Sequence, residues 1–394
     1  MRTSWKNARE RFGPCTIDLR QLCNLIVDLA SVAQPPPLRE GVTIDVAARA
    51  DDRALSWIDA TFGGWWSSEA NAGSNAIARR DGELLGFATI DAQELKFSWL
   101  RGLARDPGVG VFGPFGVTAE QRGSGLGTAL LRRSLLALRR RGYRRALIAA
   151  VGDERLARYY AGAVNAAVAE RFDVESLFRR NRRTIVLASG SGTNLQSVLD
   201  AVAGGTLPLE IVGVVSNNPR AVAIERARRA GVRRIEVVAW NKAWEGREAY
   251  DARLLETVRS FEPDLVLLLG WMHLLAPEFV ERFPETLNIH PAFLPLDPRC
   301  DRVTLPDGSV IPAFRGPRAV RDALAAPSSW VGATFHRITS RTDRGPVMAR
   351  KPLSVGVGEE EEELMQRLHA LEHEVVRAGI TRWLYERCTV VPRG

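Results

Sequence analysis

The sequence predicts an α/β protein in two parts, a mixed sheet with helices first and a parallel sheet with crossover helices second. Three observations carry that expectation. Short apolar runs at residues 184–189, 211–216, 265–270 and 286–290 are separated by helical segments, the rhythm of parallel strands joined by crossovers. In the first half, strand-like runs at 85–90, 109–117 and 146–151 alternate with helical patterns. Between them the stretch 171–183 is charged and ends in Arg179-Arg180-Asn181-Arg182-Arg183, which reads as a linker. At 394 residues the chain exceeds one ordinary core and fits two domains at about 100–200 residues each. The boundaries read from the sequence are an extension at 1–42, a first domain at 43–170, the linker at 171–183 and a second domain at 184–394.

Leu19, Leu22, Ile26, Leu29 and Val32 fall on one helical face, and Pro35-Pro36-Pro37 ends that segment, predicting a docking helix. The acidic run at 359–363 reads as a solvated helix start. A hydrophobic content of 45% with 25% charged residues is that of a globular chain in water. The net charge of +8 is carried almost wholly by arginine, which suits anionic ligands, phosphorylated substrates or nucleic acid. Cys15, Cys23, Cys300 and Cys388 share no metal-binding spacing, so they read as structural thiols in a reducing cytosol, with no metal site. The longest uncharged apolar stretch, 265–277, is short of the roughly 18 residues that span a bilayer, and residues 1–6 have no apolar signal core; the expected location is cytoplasmic.

In the first domain, Arg122-Gly123-Ser124-Gly125-Leu126-Gly127 follows the 109–117 strand and opens a helix. Glycines there let a backbone approach a phosphate while the helix N-terminus offers free N–H groups. Tyr159-Tyr160 stands on a later helix before Ala161-Gly162-Ala163. The plain alternative is a glycine-capped helix and two packing aromatics. The ensemble resembles the GNAT superfamily of acetyltransferases. That resemblance implies a GNAT-like mixed sheet with helices, acetyl-CoA bound by Val117, Arg122, Gly123, Gly125 and Gly127, and Tyr160 as the acid for the leaving thiolate. No general base is evident; Glu69 is a candidate, although a helical Glu is usually just solvated. A module that binds coenzyme A as a sensor is the non-catalytic alternative.

In the second domain, Gly190-Ser191-Gly192-Thr193-Asn194 lies between a strand and a helix, where backbone amides and Thr and Asn side chains can wrap a phosphate monoester or, more simply, cap the helix. Asn288 and His290 are two apart on a strand and project to one side, so both can address one carbonyl oxygen. A carboxylate from the segment holding Asp343 can orient the imidazole and favour its charged form. These stretches resemble the glycinamide ribonucleotide transformylase family, folate-dependent enzymes of purine synthesis. The match runs in order through 185–196, 215–217, 225–227, 247–251, 263–266, 287–291, 343–347 and Glu372-His373. It implies a Rossmann-like parallel sheet of the formyltransferase type, with Asn288, His290 and Asp343 as the catalytic set. Gly192, Thr193 and Asn194 would hold the substrate phosphate, and Glu372 and Arg247 the rest of the substrate. Met272, His273, Leu274, Leu275, Thr342 and Asp343 would line the site for 10-formyltetrahydrofolate.

Two departures stand out. His273 replaces the Arg usual in that family, and the loop after His290-Pro291 is enlarged, with an insertion around 299–308 whose 305–311 segment reads as a hairpin about Asp307-Gly308. The enlarged loop leaves another amine, an amino sugar or aminoacyl group, open as acceptor. From a different class, the clusters Arg139-Arg140-Arg141 and Arg179-Arg180 would serve a nucleic-acid-binding or scaffolding protein; the aromatic-basic interleaving of single-strand binders is absent, so small-molecule partners are expected instead.

Overall fold

The structure, a computed structural model, describes residues 22–92, 95–325, 329–356, 358–387 and 392–393. The chain divides into two compact units: Met1–Leu177 with Pro306–Gly308 and Trp383–Gly394, and Phe178–Leu305 with Ser309–Arg382. Both are α/β.

The first unit holds strands β1 (Leu22–Asp28), β2 (Val42–Ala47), β3 (Ser74–Arg80), β4 (Glu83–Ile90), β5 (Val109–Val117), β6 (Arg145–Val151) and β7 (Ala167–Phe172). Its helices are α1 (Asp52–Phe62), α2 (Trp66–Asn71), α3 (Leu126–Arg140) and α4 (Glu154–Val164). Together with the C-terminal strand Pro392–Arg393, the strands form one sheet, in the order Pro392–Arg393, β7, β1, β6, β5, β4, β3, β2. Every pair is antiparallel except β5 with β6. Helix α3 lays Leu126, Leu130, Leu131, Leu135 and Leu138 into the core with Val27, Phe112 and Ile148.

The helix expected across Leu22 to Val32 is absent. Leu22–Asp28 is a strand between β6 and β7, inside the sheet rather than in an extension before it. Leu22, Asn24, Leu25 and Val27 are all buried. A strand covered on both faces carries apolar residues at successive positions, and a helical stripe can be read through them. Leu19 lies outside the described residues. The stretch read as a linker is also structured: it takes in the end of β7, a 3₁₀ helix at Val174–Arg179 and the start of the next strand. Its basic end is anchored, since Arg183 donates to the carbonyls of Glu262 (3.1 Å) and Phe261 (2.6 Å).

The second unit contains β8 (Arg182–Leu187), α5 (Thr193–Ala203), β9 (Leu209–Ser216), α6 (Val222–Arg229), β10 (Ile235–Val237), α7 (Arg247–Arg259), β11 (Leu265–Leu268), α8 (Pro277–Arg282) and β12 (Thr286–His290). After these come β13 (Arg302–Thr304), β14 (Val310–Pro312), α9 (Ala319–Ala325), β15 (Trp330–Arg337), β16 (Val347–Ser354) and α10 (Glu361–Arg387), whose last residues cluster with the first unit. The sheet order is β10, β9, β8, β11, β12, β15, β16, parallel through β12 and antiparallel thereafter. The winding reverses between β8 and β11, and the crevice beyond the carboxyl ends of strands at such a reversal is where open α/β sheets bind ligands. The segments after β8, β11 and β12 are 188–192, 269–275 and 291 onward. The inserted hairpin pairs β13 with β14, and its turn, 305–309, closes with Leu305 N–H donating to Ser309 O at 2.8 Å. The hairpin has its own small core of Phe293, Val303, Leu305 and Ile311.

Candidate active site

Strand β12 delivers two polar side chains to one side. Asn288 stands opposite His336 in the β12–β15 register, and its Nδ2 lies 3.2 Å from His336 Nε2. His290, 5% exposed, places Nε2 2.8 Å from the carbonyl oxygen of Phe314 and Nδ1 3.5 Å from Asp343 Oδ2. Asp343 Oδ1 is 3.5 Å from His336 Nε2, and Oδ2 accepts the Gly316 N–H at 2.8 Å. Asn288, His336, Asp343 and His290 are therefore linked in that order as one polar chain. Asp343 reaches it from a loop that turns with φ 50° at Asp343 itself and passes so near β15 that a Cβ on Gly345 would overlap the Arg337 carbonyl oxygen.

Burial alone would raise the Asp343 carboxyl, but the hydrogen bond from His336, the charges of His290 and His336 and the Gly316 N–H outweigh it and hold the group well below the usual carboxylate range. Burial pushes His290 down more than Asp343 pulls it up. The resting pair is thus a carboxylate beside a neutral imidazole whose charged form has a partner waiting. Sequence reasoning missed His336. One histidine within the buried strand β15 was its signal, but only the register across 48 residues shows that it faces Asn288.

The turn after β8 is not a side-chain helix cap. Gly192 is the N-cap of α5, at φ 70°, with no capping side chain. A Cβ there would lie 2.7 Å from Ala223 Cα, so only glycine fits. Gly190 O accepts from Ala223 N–H (3.1 Å) and Ser191 O from Arg226 Nε (2.8 Å), which ties the turn to α6. Thr193 is half-buried beside it. Asn194 donates from Nδ2 to Glu372 Oε2 at 2.9 Å, while its Oδ1 is buried with no protein partner. His373 Nε2 is also buried and unpartnered, and burial together with the charges of Arg377, His369 and Arg226 pushes this imidazole down. His373 Nε2, in cationic surroundings, can donate to a ligand oxygen, whereas Asn194 Oδ1 can only accept, so the two suit a ligand that carries both an anionic oxygen and an N–H or O–H donor.

Burial raises the Glu372 carboxyl above its ordinary range, against the Asn194 hydrogen bond. A raised folded value gives stability that is complete below the unfolded pKa and lost as pH rises through the folded one. Glu372→Gln is therefore expected to flatten the fall in melting temperature between about pH 4 and pH 7. Thermal melts across that range check it, and a slope equal to wild type rejects it.

After β11, Met272 N–H donates to Ser189 Oγ (3.1 Å), and the Met272 and Leu274 side chains stand 59% and 64% exposed. His273 Nδ1 contacts Tyr250 Oη at 2.9 Å beneath Trp240. Arg247 is tied to Asp251 (2.7 Å) and to the Leu274 carbonyl, which puts it beside the Met272–Leu275 loop and not in the phosphate turn. Thr342 is exposed next to Asp343.

In the first unit, β5 and β6 pair only from Val109↔Arg145 to Phe112↔Ile148 and then part, while β5 stays bonded to β4 as far as Val117↔Gly86. The glycine turn follows, with Gly123 and Gly125 at φ 76° and 86°, and Gly125 N-caps α3 without a side-chain cap. Arg122 precedes it and Gly127 lies in the first helical turn. Tyr160 is in the core, edge-on to Phe112, with its phenol pushed far up by burial. Tyr159 is the tyrosine at the turn: its Oη is 3.3 Å from Thr128 Oγ1 and near Gly127. On α4 the two project to different sides, and the sequence alone does not say which faces inward. Glu69 lies on α2, half-buried. Among the described residues no cluster could hold a metal ion, and no helix is long and apolar enough to cross a membrane.

Residues 182–296 and 307–380 match the formyl transferase family, and residues 45–162 match the acetyltransferase (GNAT) family. The break in the first match falls within the inserted loop. Phosphoribosylglycinamide formyltransferase of Mycobacterium tuberculosis (strain ATCC 25618 / H37Rv) is 35% identical over 54% of this chain and 89% of its own length. The Escherichia coli (strain K12) enzyme of that name is 33% identical, over 48% and 82%. A crystal structure of glycinamide ribonucleotide transformylase 1 from Symbiobacterium toebii is 36% identical, covering 51% of this chain and 86% of that one, with a TM-score of 0.44. With 35% and 33% identity to the two curated enzymes over 89% and 82% of their lengths, the C-terminal half of this chain belongs to the phosphoribosylglycinamide formyltransferase family, and the preceding part carries a domain of the GNAT family.

Proposed function

We propose that the C-terminal unit transfers the formyl group of 10-formyltetrahydrofolate to the amine of glycinamide ribonucleotide. The observation that carries this reading is the linked set of Asn288, His336, Asp343 and His290 at the carboxyl end of β12, together with a glycine turn after β8 flanked by unpartnered Asn194 Oδ1 and His373 Nε2. The turn accounts for a phosphate, and the exposed apolar Met272 and Leu274 for a flat aromatic donor.

In the reaction the amine nitrogen attacks the formyl carbon, and the carbonyl oxygen becomes an oxyanion. Asn288 donates to it, and His290, neutral at rest, takes up the proton released by the attacking nitrogen as that charge develops. The imidazolium is then stabilised by Asp343 across 3.5 Å in a site where burial strengthens the attraction. Collapse breaks the bond from carbon to the folate nitrogen, and that same proton passes from the His290–Asp343 pair to the departing nitrogen. Arg247 and His273 then lie on the donor side, with Leu275 and Thr342. Glu372, joined to Asn194, orients the acceptor.

Purified full chain mixed with both substrates should turn over, followed by the absorbance of the deformylated folate. His290→Ala should lose on the order of 10³-fold in kcat. A folded, folate-binding wild type that ignores glycinamide ribonucleotide would transfer the assignment to another amine, which the enlarged loop at 292–316 favours as the second reading.

For the first unit we propose acetyl-CoA binding at the Gly123–Gly127 turn, with Val117 and Arg122 and with Tyr159 as the tyrosine facing it. Isothermal titration with acetyl-CoA should give saturable heat that Gly125→Val abolishes; no heat with wild type removes both a catalytic and a sensor role.

A further inference from the structure

The segment that the formyl transferase match skips, 297–306, holds through Asp301 the two arginines that stand beside the reacting pair. We propose that Asp301 is a positioning residue for formyl transfer: through Arg315 and Arg344 it clamps residues 314–316 against the Asp343 loop and so sets the hydrogen-bond roles of His290 and Asp343. The inference rests on the formyl-transfer reading above.

Arg315 makes three contacts with one guanidinium. Nη1 donates to Asp301 Oδ1 (3.0 Å), Nη2 to the Cys300 carbonyl (2.8 Å) and Nε to the Asp343 carbonyl (3.2 Å). Arg344, the neighbour of Asp343, donates to the same Asp301 oxygen and to the Pro298 carbonyl at 2.8 Å. Two guanidiniums converge on one carboxylate oxygen. Burial and the charge of Arg344 lower the proton affinity of Arg315, and the anion of Asp301 works against that repulsion. Ala313 N–H donates to the Asp301 carbonyl (2.9 Å), which closes the base of the hairpin just before the segment in question.

That segment touches both members of the pair. The Phe314 carbonyl accepts from His290 Nε2, and Gly316 N–H donates to Asp343 Oδ2, each at 2.8 Å. With Nε2–H committed to a carbonyl, the neutral imidazole presents its lone pair at Nδ1, facing Asp343, and the proton gained in the reaction arrives where the carboxylate can stabilise it. A shift of the segment by about 1 Å breaks one or both bonds and frees the other tautomer. Asp301 itself is 71% exposed, and ion pairs with so exposed a partner add little to stability. A residue with only a structural role there would leave kcat alone.

The test uses the full chain with Asp301→Asn and Asp301→Glu. Asp301→Asn should lower kcat by about tenfold while KM for both substrates stays within about twofold, since the clamp acts on the reacting groups and not on binding. Asp301→Glu, whose carboxylate can still meet both guanidiniums, should recover most of the loss. The ¹⁵N imidazole spectrum of His290, assigned by its absence in His290→Gln, should show the Nε2–H tautomer in wild type and a mixture in Asp301→Asn. Wild-type kcat in Asp301→Asn overturns the proposal, and so does a lost kcat with an unchanged His290 spectrum. If wild type fails to use glycinamide ribonucleotide, the formyl-transfer reading fails by itself, and the imidazole spectrum still decides the clamp.

Discussion

Asp343→Asn is expected to lower kcat by about 10³- to 10⁴-fold with KM for either substrate little changed, the size of effect seen when an orienting carboxylate beside a catalytic histidine becomes an amide. The side chain keeps its volume, so the loop that crosses Arg337 has no reason to move. What changes is the charge: an amide offers one acceptor oxygen where the carboxylate offers two, one to His336 and one to His290 and the Gly316 N–H. One of those contacts turns into an N–H facing a donor. His290, buried and already resistant to protonation, then has no anion to stabilise its charged form, and the oxyanion forms without its counterpart. Steady-state assays on the purified variant check this, and retention of more than one tenth of wild-type kcat rejects Asp343 as the partner of His290. The same substitution carries a second sign. The folded value of Asp343 lies below its unfolded value, so its contribution to stability is complete above about pH 4 and is lost as pH falls further. Asp343→Asn should therefore show a shallower acid decline of melting temperature than wild type.

Half of this polar chain is written in local pattern and half is not. Asn288 and His290 share a side because a strand alternates with period two, and that holds however the rest of the chain folds. The strand β5 was legible to its ends, 109–117, because Pro107 and Gly108 precede it and a polar turn follows. Asp343 and His336 are different. Each meets β12 only through pairing with β15, and pairing register across tens of residues leaves no periodic trace in either strand. Asp343 was found through its match to a family motif, and His336, which that motif does not include, was overlooked.

The misreadings have the same origin. The apolar spacing of Leu22, Ile26 and Leu29 fits a helical stripe, yet these residues lie in and just after a strand between two others, where burial on both faces erases the alternation that would have identified it. Which of Tyr159 and Tyr160 enters the core was likewise not legible, since adjacent helical residues differ by about 100° in direction and only packing decides. The charged stretch at 171–183 suggested a linker, but arginines that find backbone carbonyls, as Arg183 does, anchor a strand just as well.

Gly192→Ala is expected to raise KM for the phosphorylated acceptor by about 10- to 100-fold, a loss of about 1.4–2.8 kcal/mol of binding, while KM for the formyl donor stays near wild type. Two costs act at this position. Its φ of 70° is a left-handed conformation that costs an L-residue about 1–2 kcal/mol. The new methyl would also lie 2.7 Å from Ala223 Cα and 2.8 Å from its Cβ, contacts with a helix start that cannot retreat freely, because Ala223 N–H is bonded to Gly190 and Arg226 to Ser191. The turn must open, and the backbone amides at the start of α5 leave the positions in which they converge on an anion. The donor loop after β11 touches this region through Ser189 Oγ, three residues upstream, so a selective effect on the acceptor separates a phosphate-binding turn from a general loss of structure. Equal rises in both KM values would mean that Gly192 maintains the fold alone, and an unchanged acceptor KM would take the phosphate away from this turn.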